Sequence, residues 1–183
     1  MKDTRSSIQK AAYDMMGTSG LEEVHARTVA ASIKINHATV HYYFPKREDL
    51  LVGVADFAMQ TLHEDRKRFQ AGVTDAKGKI GAEMSLAEAY AKKGSRFAKV
   101  LAGLVVASSG SAKLKKKVKD LFAEWASVCT KEMAGAKPKK GAALADPDLM
   151  MATLFGLALG NLALDGSVNV EAKLDTVYDS LFA

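Results

Sequence analysis

Residues 20–51, GLEEVHARTVAASIKINHATVHYYFPKREDLL, govern how the rest of the chain can be read. Val29, Ala30 and Ile33 give a short helix over about 26–32 a single apolar stripe. The chain then turns over 33–36. Asn36 is a good N-cap, because its side-chain oxygen can accept from the free amides of a next helix over about 37–43. Within that helix Val40 and Phe44 are four apart and face inward. Pro45 disfavours helical geometry at Phe44 and ends the segment. A longer helix begins near Lys46 and runs towards Ala71, with Leu50, Leu51, Val54, Phe57, Ala58 and Leu62 on its apolar face. Glu48 and Asp49 stand in its first turn, where the helix dipole favours negative charge. Two short helices joined by a tight turn and closed by a long helix make a helix-turn-helix pattern.

That pattern, with Gly20, Val24, Val29, Ala30, Ile35, Thr39, Val40, Tyr42, Tyr43, Phe44, Pro45, Arg47, Glu48, Asp49, Leu50 and Leu51 at ungapped spacing, resembles the DNA-binding half of the TetR-family transcriptional regulators. The resemblance implies that His37, Ala38, Thr39 and His41 lie against base edges or the thymine methyl. It places Tyr42, Tyr43, Arg27, Asn36 and Arg47 nearer the phosphates. The physical reading agrees, since a helix about 10–12 Å across fits the major groove of B-form DNA. Arg47 adds a charge to the free amides at the start of the long helix, a suitable phosphate clamp. Four residues depart from the family pattern. Lys34 replaces the turn glycine, where a left-handed backbone costs about 1 kcal/mol more than for glycine. Ala38 replaces a glycine of the recognition helix, His41 a tyrosine, and Lys46 a capping serine or threonine.

The remaining sequence is helical in its spacing almost throughout, and only three of the chain's 183 residues are proline. Before the motif, Ile8, Ala11, Ala12, Met15 and Met16 form one buried stripe, which Gly17 and Gly20 are expected to stop. After it, helices are predicted over about 83–93, 95–108 and 112–134. The segment 135–145, with Pro138, reads as an exposed loop. Asp146 followed by Pro147 is a cap with proline at the first helical position, opening a helix to about Leu164. A last helix covers about 170–182. The expected class is therefore all-α with about nine helices: a three-helix DNA-binding domain over 1–46 and a helical body over 47–183.

Charge alone carries less. The chain holds 26 basic and 21 acidic side chains, with seven against four in residues 1–47 and three against five in 48–70. The densest basic run, 113–119, lies far along the chain from the motif and reads as a solvated helix face. With 48% hydrophobic residues the chain can bury a core, which excludes global disorder. No signal peptide or membrane segment is read, so the expected compartment is the cytoplasm. Cys129, the single cysteine, sits on an apolar stripe and reads as a buried structural thiol. His37 and His41 have the i, i+4 spacing of metal ligands, but neither a carboxylate between them nor a third ligand is evident, so no metal is assigned. His25 and His63 read as solvent or packing residues. No nucleophile elbow, phosphate loop or Cys/His signature appears, so no catalytic residue and no cofactor is assigned.

The helix over 146–164 is apolar almost all round and must be enclosed on several sides, either by the chain's own domain or by a second copy. The family resemblance implies that it packs with its successor against a second copy, as a homodimer through Leu154, Gly156, Leu157, Gly160, Leu174, Val177, Tyr178 and Leu181. It also implies a small-molecule effector held among the central helices. The side chains available for it are Phe57, His63, Tyr90, Phe97, Leu101, Leu104, Phe122, Trp125, Met151 and Phe155, with Met84 and Met133. Few charged groups are expected to face inward, which points to an apolar or weakly polar effector. The expected partners are a palindromic double-stranded DNA operator, a second copy and that effector, with no membrane. A helical interaction or carrier protein that kept the motif without reading DNA is the competing class, and a sequence-neutral nucleic-acid binder is a third.

Overall fold

The computed structural model describes residues 3–182, so that Lys2, counted above among the basic residues, lies outside it. Among the described residues the chain forms nine α-helices and two short 3₁₀ turns, with no strand. The helices are α1 (Thr4–Ser19), α2 (Ala26–Ser32), α3 (His37–Tyr43), α4 (Arg47–Phe69), α5 (Ala76–Ala91), α6 (Arg96–Ser108), α7 (Ala112–Ala136), α8 (Pro147–Ala163) and α9 (Val170–Phe182). The turns are Leu21–Glu23 and Ala143–Ala145. Among the described residues no helix is long and apolar enough to cross a membrane.

Two predicted boundaries move, for identifiable reasons. Gly17 does not stop α1, because it lies inside the last turn where α6 passes close. A Cβ on Gly17 would come within 2.6 Å of Arg96 Cβ and 3.1 Å of its Cα, so a glycine is needed for the approach rather than for a stop. Gly20, at φ 99°, ends the helix, and its N–H donates to the Met16 carbonyl at 3.1 Å. α5 starts seven residues before its expected position. Asp75 caps it by accepting from the Gly78 N–H at 2.9 Å, and this cap outweighs the weak helix propensity of Gly78 and Gly81.

The chain divides into two compact units. The first comprises the residues up to Leu62 together with Arg96–Leu121. Its core joins Ile8, Ala12 and Met16 of α1, Val29 of α2, Val40 of α3, Leu50, Val54 and Leu62 of α4, Val100 and Leu104 of α6, and Leu114 of α7. Full burial of such side chains contributes about 1.5–3 kcal/mol each. Tyr13 and Phe57 rings meet at 5.1 Å. The basic run 113–119, remote from the motif in sequence, thus belongs to the same compact unit as the motif.

The second unit comprises His63–Ser95 and the residues from Phe122 onward. Its core is built from Ile80 and Leu86 of α5, Trp125, Cys129 and Met133 of α7, Met150 and Leu154 of α8, and Leu174 and Leu181 of α9. Burial pushes the Cys129 thiol up to about 12, so it stays protonated and inert. The expectation that few charges face inward fails here. Arg66, Glu83 and Glu132 are all buried, and Glu83 is fully so. Arg66 Nε donates to Glu83 Oε1 at 2.7 Å, and Gln70 Nε2 donates to the same oxygen at 3.1 Å. His63, read as a solvent or packing residue, pairs with Glu124. Asn161, only 4% exposed on the otherwise apolar α8, donates to the Ala91 carbonyl at 2.6 Å and accepts from the Val168 N–H at 2.9 Å.

Candidate nucleic-acid interface

The turn between α2 and α3 is held from both sides. Thr28 Oγ accepts the His25 N–H at 3.2 Å and donates to the Glu23 carbonyl, which sets the start of α2. Asn36 caps α3 by accepting from the Ala38 N–H at 2.9 Å. Between the helices, Lys34 adopts φ 56°, the left-handed backbone for which the missing glycine would be suited. With Val40 and Phe44 buried, α3 can present only its opposite face to solvent. His37, Ala38, His41 and Tyr42 are exposed there, while Thr39 and Tyr43 are half-buried. Arg27 and Asn36 are exposed beside them. Tyr42 is 80% exposed, far beyond what an aromatic ring retains when it serves packing. Its ring meets that of Tyr43 edge-on at 5.1 Å, and those of His37 and His41 stand 6.1 Å apart.

A cleft of about 290 Å³ opens beside this face, with His25, Arg27, His41, Lys46 and Arg47 around it and Phe44 and Leu50 at its base. The start of α4 forms one wall. Asp49 Oδ2 accepts the Lys46 N–H at 3.1 Å, which replaces the cap that serine or threonine would supply at that position. Lys113 bonds the other carboxylate oxygen at 2.6 Å and holds the Asp49 carboxyl below its ordinary range.

Arg47 has a second task that sequence reasoning missed. Its Nε donates to the Val24 carbonyl at 3.2 Å and one terminal nitrogen to the Leu21 carbonyl at 2.8 Å, which pins the 3₁₀ turn before α2 to α4. Partners 23 and 26 residues away leave no local pattern. Arg47→Ala is expected to destabilise the protein by about 1–3 kcal/mol, with Arg47→Lys recovering only part, since one ammonium cannot reproduce the planar fork. Urea unfolding of the three proteins checks this; an alanine variant as stable as the parent refutes the clamp.

The other expected site residues fall as follows. Phe97, Leu101 and Leu104 are buried in the core of the first unit, where Phe57 also lies, half-buried. His63, Tyr90, Phe122, Trp125, Met151 and Phe155 belong to the second unit, where Tyr90 stacks edge-on to Trp125 and Phe122 to Phe155. Met133 is buried there as well. Met84 lines a cleft of about 260 Å³ with Gly81, Glu88, Glu171, Asp175 and Tyr178. Of the residues expected at a dimer interface, Leu154, Leu174, Val177 and Leu181 are buried within the second unit itself. Gly156 and Gly160 have open space where a Cβ would lie. Leu157 and Tyr178 are half-buried. Leu149 on α8 and Leu164, the residue just after that helix, remain 45% and 58% exposed.

An all-helical chain that offers a capped, polar-faced short helix through a helix-turn-helix has the architecture of a DNA-binding protein. Residues 8–54 match the family model described as bacterial regulatory proteins, tetR family. Over those residues the chain is similar to this family of transcriptional regulators. None of the curated proteins matches the chain. Among solved structures it is similar to a TetR-family regulator of Agrobacterium tumefaciens, with 17% identity, TM-score 0.81, and 98% of this chain and 97% of that one covered. A transcriptional regulator of Rhodococcus sp. RHA1 shares 22% identity at TM-score 0.80, covering 98% and 96%. A regulator of Saccharomonospora viridis, solved in complex with choline, shares 16% identity at TM-score 0.79, covering 98% and 95%. These likenesses show the same fold.

Proposed function

We propose that the chain is a ligand-responsive repressor that binds a palindromic operator as a homodimer and is released by a small apolar or weakly polar effector. The division of labour is the one expected from the sequence, with residues 1–46 reading DNA and 47–183 dimerising and sensing. His37, Ala38, Thr39 and His41 face the bases, and Arg27, Asn36, Tyr42, Tyr43 and Arg47 approach the phosphates. The single observation that carries this reading is the 80% exposure of Tyr42 on a short helix whose other side is buried.

A second copy would cover the open face of α8 around Gly156 and Gly160. A two-fold dimer requires half-sites about 34–36 Å apart, or a multiple of that. Support for a small effector comes from the aromatic pairs of the second unit, Tyr90 with Trp125 and Phe122 with Phe155. The buried charges leave that character intact, because Arg66 and Glu83 already satisfy each other. The choline complex of the Saccharomonospora viridis regulator is consistent with a body of this fold holding a small molecule. An effector that fits one arrangement of the body better than another would shift the population away from the DNA-competent one.

The experiment is selection of bound sequences from a random duplex pool, followed by titration of the selected duplex with Tyr42→Ala and Thr39→Ala. The expected outcome is a symmetric site, and a loss of about tenfold or more in affinity for each variant (~1.4 kcal/mol) with thermal unfolding unchanged. Selection that returns no symmetric sequence sinks the proposal.

A further inference from the structure

The part of the first unit that contains the helix-turn-helix is electrically balanced. The residues up to Leu62 carry seven Lys/Arg and seven Asp/Glu, whereas Arg96–Leu121 carries seven against one. The first unit therefore holds a net charge of +6 and the second −1. A surface that meets a polyanion works through its summed charge, and here the whole surplus comes from α6 and the start of α7.

Four of these seven cations are already paired. Arg96 bonds Asp14 at 2.8 Å, Lys113 bonds Asp49 at 2.6 Å, Lys117 bonds Asp56 at 2.7 Å, and Lys116 bonds Asp120 at 2.8 Å. Lys99, Lys115 and Lys119 have no ion-pair partner among the described residues. Lys115 and Lys119 are exposed and four apart, hence on one face of α7. The position of that face is set by two bonds. The Ser111 hydroxyl donates to the Glu48 carboxylate, and Lys113 bonds Asp49, whose other oxygen accepts the Lys46 N–H. The first turn of α7 is thereby fixed beside the first turn of α4, next to the cleft under α3.

We infer that Lys115 and Lys119 form a second phosphate-contacting strip, which engages the duplex backbone outside the base pairs read by α3. This inference rests on the DNA-reading function proposed above; on α7 the strip lies about 200° around the helix from Lys113 and Lys117, which face α4, so it flanks those contacts. The paired lysines hold the helix in place, and the unpaired ones meet the polyanion. Contacts of this kind add affinity without sequence preference.

The test uses the full chain and a selected duplex extended on both sides. Affinity is measured as a function of salt for the parent, for Lys115→Gln/Lys119→Gln, and for Lys139→Gln/Lys140→Gln in the second unit as a control of equal charge change. Glutamine keeps the helix propensity of lysine, and neither side chain has a partner to lose. The expected result is a log–log salt slope shallower by about 0.9 for each contact removed, with affinity lowered equally on selected and unrelated duplexes, and an unchanged slope in the control. An unchanged slope in Lys115→Gln/Lys119→Gln, or an equal change in the control, overturns the strip while leaving the DNA-reading function standing. A parent protein that binds no duplex at any salt concentration overturns both.

Discussion

The Arg66→Met variant is expected to lose about 3–5 kcal/mol of stability, because methionine removes the guanidinium bonded to the fully buried Glu83 carboxylate. Arg66 reaches that carboxylate with two nitrogens, at 2.7 and 3.3 Å, and Gln70 adds a neutral donor at 3.1 Å. An amide alone cannot compensate a buried charge. The double variant Arg66→Met/Glu83→Leu is expected to recover most of the loss, since apolar groups of similar volume replace a buried pair at little cost. Chemical unfolding followed by far-UV circular dichroism reads both variants. A single variant within about 1 kcal/mol of the parent would show that water reaches Glu83 and that the pair is not buried in solution.

The second large effect is expected at α8. Gly156→Arg should convert the homodimer proposed above into monomers and weaken binding to the proposed operator by about 10²- to 10⁴-fold, the advantage that two linked half-site contacts have over one. Within the single chain Gly156 is exposed and nothing lies within 4 Å of an added Cβ, so the side chain is expected to extend into solvent. A second copy seated on that face does not tolerate it, because an unpaired guanidinium would be buried between the subunits. Sedimentation velocity and operator titration measure the two consequences. A variant that stays dimeric at the parent's concentration removes α8 from the interface.

The contrast between these two sites shows where sequence patterning stops being informative. Both short helices of the motif match their expected bounds, because Asn36 and the Phe44-Pro45 pair are local signals with local causes. The exposed face of α3 was legible for the same reason, since Val40 and Phe44 fix the buried side. Arg66 was hidden by its setting: within 63–68, HEDRKR, every residue is polar and the stretch reads as solvated. Only α5, brought alongside by tertiary packing, supplies the buried Glu83. The start of α5 was obscured by Gly78 and Gly81, whose low propensity concealed the Asp75 cap. Arg47 was legible as a cation at a helix start, but its hold on Leu21 and Val24 depends on a turn that closes only in three dimensions. The lysines of α7 likewise join the motif through packing, which periodicity along the chain does not encode.

That last feature bears on any attempt to graft this reading head onto another regulator. A chimaera that transplants the residues up to Leu62 would carry the exposed face of α3 and a formal charge of zero. It would also leave Asp14, Asp49 and Asp56 without the cations that Arg96, Lys113 and Lys117 bring to them. The portable module is thus discontinuous: the recipient must donate a compatible pair of helices, or receive Arg96–Leu121 with the graft.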